Sequence, residues 1–349
     1  VSAAPPELTE IAALTDAVLA QTLAAERSAW SGLDPAVDEP LAALEAIVAA
    51  GGKRLRPAYV HWGWVTGGGD PADERRLAGC CAVELLHAFA LVHDDVMDGS
   101  DLRRGEPTVW AQFVERHRVE SWRGEPRRFG EAAAILVGDI AMVLADRQLL
   151  GAHETARRVW DELRSELNMG QYLDVRGAAS CDTSAGLARK IMRNKTAGYT
   201  IVRPLQLGAA LAGRAGLAED LAAHGMPLGT AFQLRDDVLG AFGDAARTGK
   251  PVGDDLREGK ATVLLAEARA RASAAELAVL DRVGRPGISD ADVANVQQVM
   301  TDSGALAACE QEIERLGAEA LAAVDALPDL HGSRAALRAL AAYVVARDR

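Results

Sequence analysis

Residues 87–104 read HAFALVHDDVMDGSDLRR, and the rest of the chain can be organised around them. The stretch begins as an apolar helix and ends in acid, then in two arginines. Asp94 and Asp98 are four apart, so on a helix they project from one face. Asp95 lies about 100° round and supports them rather than joining them. His87 and Leu91 lie up the same face. Gly99 breaks the helix, which leaves Asp101-Leu102-Arg103-Arg104-Gly105 as a loop.

Two carboxylates one turn apart, with no lysine on their own helix, repel each other. A hard dication bound through oxygen offsets that, and Mg2+ in particular binds through one or two carboxylates plus substrate phosphates. The arginines just beyond suit bidentate capture of phosphate oxygens. Carboxylate, metal, diphosphate and arginine would form one layer of alternating charge. The plain alternative is an acidic helix end followed by a solvated basic loop. An EF-hand is not indicated, because the acids lack the alternate-residue spacing of its loop.

The chain has 349 residues and a net charge of −12, which argues against nucleic acid as a partner. Strand signals are weak and Ala and Leu recur at helical spacing, so the expected class is all-α. Lysine is scarce, confined to positions 53, 190, 195, 250 and 260. Cys80, Cys81, Cys181 and Cys309 show no metal-ligand spacing and are expected as buried thiols in a reducing compartment. The opening VSAAPPELTE lacks the features of a signal peptide. No run is expected to reach membrane-spanning length, the most apolar segment being 132–145, cut by Asp139. These readings together predict a cytoplasmic protein.

Helices are expected over about 7–30, 40–50, 73–97, 131–150, 154–178, 184–212 and 218–242, followed by a helical tail over 262–349. Gly51-Gly52-Lys53-Arg54-Leu55-Arg56-Pro57 interrupts the pattern after the second helix as a candidate anion cradle, with Pro57 in the first turn of the next helix. Residues 115–130 read as a polar surface loop. Asp139, inside an apolar pattern, must meet a partner or line a polar cavity. Pro204 predicts a kink that would expose carbonyl oxygens near Lys195 and Thr196. A second acidic helix carries Gln233, Asp236 and Asp237; Gly240 stands where a third acid would complete DDxxD, and Asp244 lies one turn further.

With these motifs in order, the chain resembles the trans-isoprenyl diphosphate synthases, the polyprenyl synthetase family. The resemblance is strong over about 40–265 and rests on GGKRLRP at 51–57, ELLHAFALVHDDVMDGSDLRRGEPT at 84–108, GQYLD at 170–174, KTAGYT at 195–200, FQLRDDVLGAFGD at 232–244 and TGKPVGDDLREGK at 248–260. Four of the five lysines fall inside these motifs. The resemblance implies one large helical domain over 1–349 of the isoprenoid synthase type around a central cavity, with helices 266–349 flanking the motif-bearing core.

It also implies roles. Asp94 and Asp98 bind two Mg2+ ions with an allylic diphosphate, and Asp236 binds a third, while Asp95, Asp174 and Asp237 act in or behind the metal shell. Arg103, Lys195, Lys250 and Lys260 hold the allylic diphosphate. Lys53, Arg56, His87 and Arg104 hold isopentenyl diphosphate. Lys195, Thr196 and Gln233 present oxygen dipoles to the allylic cation. Asp255 matches the family's aspartate in the last motif. Gly240 departs from the pattern, and an aspartate restored there is expected to leave activity similar or to tighten metal dependence.

The implied reaction ionises an allylic carbon–oxygen bond and joins the cation to the acceptor double bond. A terpene cyclase is the enzymatic alternative, but its second acidic site carries an Asn/Ser/Glu pattern and it has no need of GGKRLRP. A non-catalytic synthase subunit would lose acidic motifs that this chain keeps. The family is usually homodimeric. Product length turns on Phe89 and Ala90, five and four residues before Asp94. One aromatic at the fifth position, none at the fourth and no insertion in DDVMD resemble the archaeal-type geranylgeranyl diphosphate synthases, with a farnesyl or longer product as the alternative.

Overall fold

The computed structural model describes residues 4–180, 182, 184–243 and 253–346. Among them regular structure is helical apart from one hairpin of two-residue strands, so the all-α expectation is met. Within this fold the packing divides the chain into two compact units.

The first unit is Pro5–Arg157 with Leu207–Ala215. It contains α1 (Pro6–Trp30), α2 (Asp38–Ala49), α3 (Leu55–Thr66), α4 (Arg75–Asp98), α5 (Val109–Val119) and α6 (Pro126–Gln148). Helix α4 is its axis and packs on α3 and α6. From Gly79 to Leu86 every residue of α4 is buried, as a helix segment apolar on every side but for Glu84 must be. Each such Leu or Val contributes about 1.5–3 kcal/mol on burial. After His87 the burial becomes periodic. Ala88, Val92 and Asp95 stay inside, His87 and Asp94 are half-buried, and Asp98 is exposed. One helix thus serves as core at its start and as site at its end. It stops where the sequence reading put the stop: Gly99 is left-handed at φ +66° and its N–H bonds the Asp95 carbonyl.

Three expectations need correction in this unit. Residues 115–130 are largely helical, shared between α5 and α6. Ring contacts among His117, Trp122 and Phe129, with centroids 5.1–6.0 Å apart, draw this polar stretch into a helical hairpin. Asp139 enters no interior. Its side chain is 60 % exposed with His93 at 3.8 Å, and it stands among exposed Ile135, Leu136 and Val143. The apolar pattern of α6 therefore has two apolar faces, one of which points outward. Helices α1 and α4 are both long and apolar enough to cross a membrane by length and composition. For α4 that reflects core burial, since 61 % of the apolar window lies inside the protein. Helix α3 begins at Leu55, so Pro57 sits at its third position, in the first turn as expected.

The second unit is Arg158–Gln206 with the chain from Gly216 onward. It holds most of α7 (Glu154–Ser180), then α8 (Ala185–Ile191), a π-helix (Met192–Val202), the start of α9 (Arg203–Leu211) and α10 (Ala218–Phe242). Short helices follow: α11 (Asp254–Glu258), α12 (Val263–Arg271), α13 (Ala274–Leu280), α14 (Asp290–Asp302), α15 (Ala305–Ala323) and α16 (Ser333–Val345). Helix α10 is central here, packed on the π-helix and on α15. Leu234, Val238, Leu264, Val296, Met300 and Ile313 belong to its core. Of the cysteines, Cys80, Cys81 and Cys309 are buried and unbridged, and burial pushes the Cys81 and Cys309 thiols up to about 12. Cys181 lies outside the described residues.

Candidate active site

The end of α4 and the hairpin behind it form one construction. Strands Leu102–Arg103 and Glu106–Pro107 pair antiparallel. Arg104 and Gly105 make the turn, both with positive φ, +55° and +83°, which is the geometry a two-residue hairpin favours. The hairpin sends Arg103 back onto α4. Its Nε donates to both Asp95 oxygens at 2.8 and 2.9 Å, and its Nη2 donates to Oδ1 at 2.6 Å. Asp95 is 1 % exposed. A buried carboxylate needs such a partner. Asp94 remains partly open, 3.8 Å from the same guanidinium, and Asp98 is exposed. The helical spacing thus gives an outer pair, Asp94 and Asp98, and an inner Asp95 that is turned away from them. Arg103, expected to hold the allylic diphosphate, here forks onto Asp95 and comes within 3.8 Å of Asp94.

Above this, His87 lies in a field of arginines. Burial, then Arg56, Arg104, Arg103 and Arg54, hold its imidazole well below the usual range, so it is neutral. Arg104 donates to the Gly51 carbonyl and ties the hairpin tip to the GGKRLRP loop. Lys53 is exposed and Arg56 half-buried. His87, Arg104, Gly51 and Leu91 line one cavity with Arg54 and Glu84. Further along α4, Phe89 and Ala90 are half-buried, and the Phe89 ring meets His93 with centroids 4.5 Å apart.

In the second unit the sequence reading put the helix break at Pro204. The structure moves it upstream. Pro204 is the second residue of α9, which continues directly from the stretch before it, and that irregular stretch is the π-helix that carries Lys195 and Thr196. Backbone packs closely on both sides of it. A Cβ on Gly170 of α7 would lie 2.7 Å from the Lys195 nitrogen, and one on Gly229 of α10 would lie 2.6 Å from the Ala197 Cα. Neither position leaves room for a side chain. Lys195 then reaches Asp174 across this close approach, Nζ to Oδ2 at 2.6 Å.

On α10, Asp236 is half-buried and Asp237 is 5 % exposed. Gln233 donates to Asp237 Oδ1 at 2.7 Å, and the Val263 N–H donates to Oδ2 at 3.3 Å. Burial pushes the Asp237 carboxyl up to about 8, with Asp255 and Asp236 adding to the rise and the two donors opposing it. Arg235, 2 % exposed, forks onto Glu310 of α15 at 2.6 and 2.7 Å, which fixes the rotation of α10 beside Asp236. Gly240 is in contact with Asp255: a Cβ there would lie 1.8 Å from Asp255 Oδ2. An aspartate at 240 would have to displace the Asp255 carboxylate, which α11 has brought into that volume. Lys260 pairs with Glu258 at 2.6 Å and stands 3.7 Å from Asp255. Lys250 and Asp244 lie outside the described residues.

Residues 38–302 match the polyprenyl synthetase family. The chain belongs to the polyprenyl synthetase family. This synthase is 35 % identical over 270 residues to a geranylfarnesyl diphosphate synthase of Aeropyrum pernix, covering 74 % of this chain and 79 % of the relative. It is 33 % identical over 306 residues to a (2E,6E)-farnesyl diphosphate synthase of Mycobacterium tuberculosis, covering 85 % and 80 %. A crystal structure of a geranylgeranyl pyrophosphate synthase from Corynebacterium glutamicum, complexed with isoprenyl diphosphate and magnesium, superposes with a TM-score of 0.92 at 38 % identity, covering 98 % of this chain and 99 % of the other. The family consists of Mg2+-dependent trans-prenyltransferases, and this chain is one of them.

The donors in this prenyltransferase suit that metal. Asp94, Asp98 and Asp236 offer hard carboxylate oxygen. Among the described residues no three His, Cys, Asp or Glu groups converge as a ready-made cage. Four features of the synthase escaped the sequence reading: the buried Arg54, the Gly170 and Gly229 contacts, the Arg235–Glu310 fork and the Gly240–Asp255 contact. Each joins residues distant in sequence, and composition carries no signal for any of them.

Proposed function

We propose that this synthase condenses isopentenyl diphosphate with an allylic diphosphate and releases an all-trans geranylgeranyl diphosphate. Asp94, Asp98 and Asp236 hold Mg2+, three ions in all, against the allylic diphosphate, with Lys260 and Lys250 completing its binding. Bound there, Mg2+ supplies Lewis-acid stabilisation of the leaving diphosphate, a contribution of several kcal/mol. Asp95 and Asp237 stand behind the ligands: Arg103 orients the first, Gln233 and the Val263 amide the second. Asp174 holds Lys195 in place through their ion pair. Lys195, Thr196 and Gln233 direct backbone and side-chain oxygen dipoles at the developing allylic cation, preorganised so that they need not reorient as charge builds. Lys53, Arg56 and Arg104, with neutral His87, hold isopentenyl diphosphate. Asp255 acts beside Asp236. The departing diphosphate takes the final proton, so no protein nucleophile is needed.

The observation that carries the product assignment is Phe89. It is the one aromatic on α4, half-buried, about 7.5 Å along the axis from Asp94 at 1.5 Å per residue. A growing prenyl tail gains about 0.8 kcal/mol for each methylene removed from water, and Phe89 is placed to end that gain. The 38 % identity to the Corynebacterium glutamicum geranylgeranyl pyrophosphate synthase supports the same length. Phe89→Ala should lengthen the product and Ala90→Phe shorten it toward farnesyl. Chromatography of dephosphorylated products checks this, and an unchanged length in both variants would sink the assignment.

The same reading makes the enzyme a cytoplasmic homodimer. Ile135, Leu136 and Val143 form an exposed apolar strip on α6 of the kind that a second copy covers. Leu136→Asp should shift the species seen by analytical ultracentrifugation toward the monomer; an unshifted profile counts against that face.

A further inference from the structure

Of the cations in Lys53-Arg54-Leu55-Arg56, one is turned inside. Arg54 is 5 % exposed, and its guanidinium finds acceptors on three helices. Nε donates to Asp16 Oδ1 of α1 at 2.8 Å, Nη2 to the Val48 carbonyl of α2 at 2.6 Å, and Nη1 to Glu84 of α4. Glu84 is itself 5 % exposed, and each buried charge of this pair requires the other. The Arg54 backbone is left-handed, φ +49° and ψ +36°, a conformation that glycine adopts freely and arginine does not. The loop thus carries arginine where its backbone favours glycine. The side chain must contribute what glycine lacks, and what it contributes is the three-point anchor.

The chain turns at this residue into α3. Its conformation sets the direction of Lys53 on one side and of Arg56, in the first turn of α3, on the other. Gly52 sits beside it, and a Cβ there would lie 3.5 Å from Arg104 and 3.8 Å from Arg54. We infer that Arg54 is a positioning residue for diphosphate capture. It binds no substrate; it pins the left-handed corner of the loop to α1, α2 and α4 so that Lys53 and Arg56 stand ready for the anion. Glu84 neutralises the buried guanidinium from beneath. The inference rests on the reading above that this loop takes isopentenyl diphosphate.

Arg54→Gly tests it, because glycine keeps the backbone conformation and deletes only the anchor. Glu84 would then be a buried carboxylate without its arginine, so the substitution is made both alone and with Glu84→Gln. The KM for isopentenyl diphosphate should rise about ten- to hundredfold, the range that misplaced binding groups produce. The KM for the allylic primer and the turnover at saturation should stay close to the parent values. Arg54→Lys should recover part of the loss. Independently of substrate, hydrogen exchange at the amides of residues 51–56 should accelerate in Arg54→Gly and not in Lys53→Ala. A parental KM for isopentenyl diphosphate in Arg54→Gly, while Lys53→Ala raises it, overturns the inference; so does a fall in turnover with that KM unchanged, which would make Arg54 a catalytic group. If Lys53→Ala also leaves the KM unchanged, the assignment of the loop to isopentenyl diphosphate fails, and unaltered exchange then overturns the anchor as well.

Discussion

The Asp-Asp pair is written twice in this chain, at the end of α4 and at the end of α10, and the two are built differently. In both, the first aspartate is the more open and the second is turned into the protein. Asp95 is met by the fork of Arg103, carried on a hairpin. Asp237 is met by neutral donors, the Gln233 amide and the Val263 N–H. On α4 the third acid, Asp98, comes from the same helix one turn on. On α10 that turn is Gly240, and the neighbouring carboxylate is Asp255 from α11. One helix face can be assembled from one stretch of sequence or from two, and only the first kind is visible as a motif.

The largest expected effect falls on the open acids. Asp94→Ala and Asp236→Ala should each lower turnover by about two to three orders of magnitude, the equivalent of several kcal/mol of lost Lewis-acid stabilisation, with circular dichroism unchanged. Parental turnover in either folded variant would break the comparison outright.

Gly240→Asp comes next. Overpacking against Asp255 should cost about 1–3 kcal/mol of stability and lower turnover, whereas Gly240→Asp combined with Asp255→Gly should recover part of both. Thermal unfolding and initial rates check this; a single variant as stable and active as the parent would show that α11 yields freely.

The inner acids give a smaller contrast. Arg103→Ala leaves a buried carboxylate without its charge partner and should destabilise by about 3 kcal/mol, while Gln233→Ala should cost only about 1 kcal/mol. Denaturant titration would measure both, and equal losses would erase the distinction between charged and neutral support.

The smallest effect is in pH. The Asp237 carboxyl is raised to about 8 in the folded protein and returns to about 3.9 on unfolding. The folded state therefore binds the extra proton between these values, and stability from this group is full below about pH 4 and lost as pH rises through about 8. The Tm of Mg2+-free protein should carry this decline across that window, and Asp237→Asn should flatten it. A parental slope in Asp237→Asn would place the titrating group elsewhere.

Much of this was legible in the sequence. Helix α10 was expected over 218–242 and runs Ala218–Phe242, with Pro227 inside it and Gly243 at its end. The facing of Asp94 and Asp98 followed from a spacing of four, and the stop at Gly99 from the need for a left-handed residue. These are local properties, set by 3.6 residues per turn and by which residues tolerate positive φ. Other features were decided only by what each segment packs against. Residues 115–130 look like a loop until His117, Trp122 and Phe129 find one another. Asp139 looks interior until α6 shows a second apolar face. Pro204 looks like the kink, yet the π-helix lies before it, closely packed between Gly170 and Gly229. Arg54 reads as one more cation of an anion loop until Asp16, Val48 and Glu84 gather round it. The sequence by itself determined most of the long helices, the family and the outer carboxylates, since these depend on spacing along one strand of chain. Tertiary structure alone decided which charges face outward and which are neutralised within, since burial and pairing depend on neighbours that sequence order does not reveal.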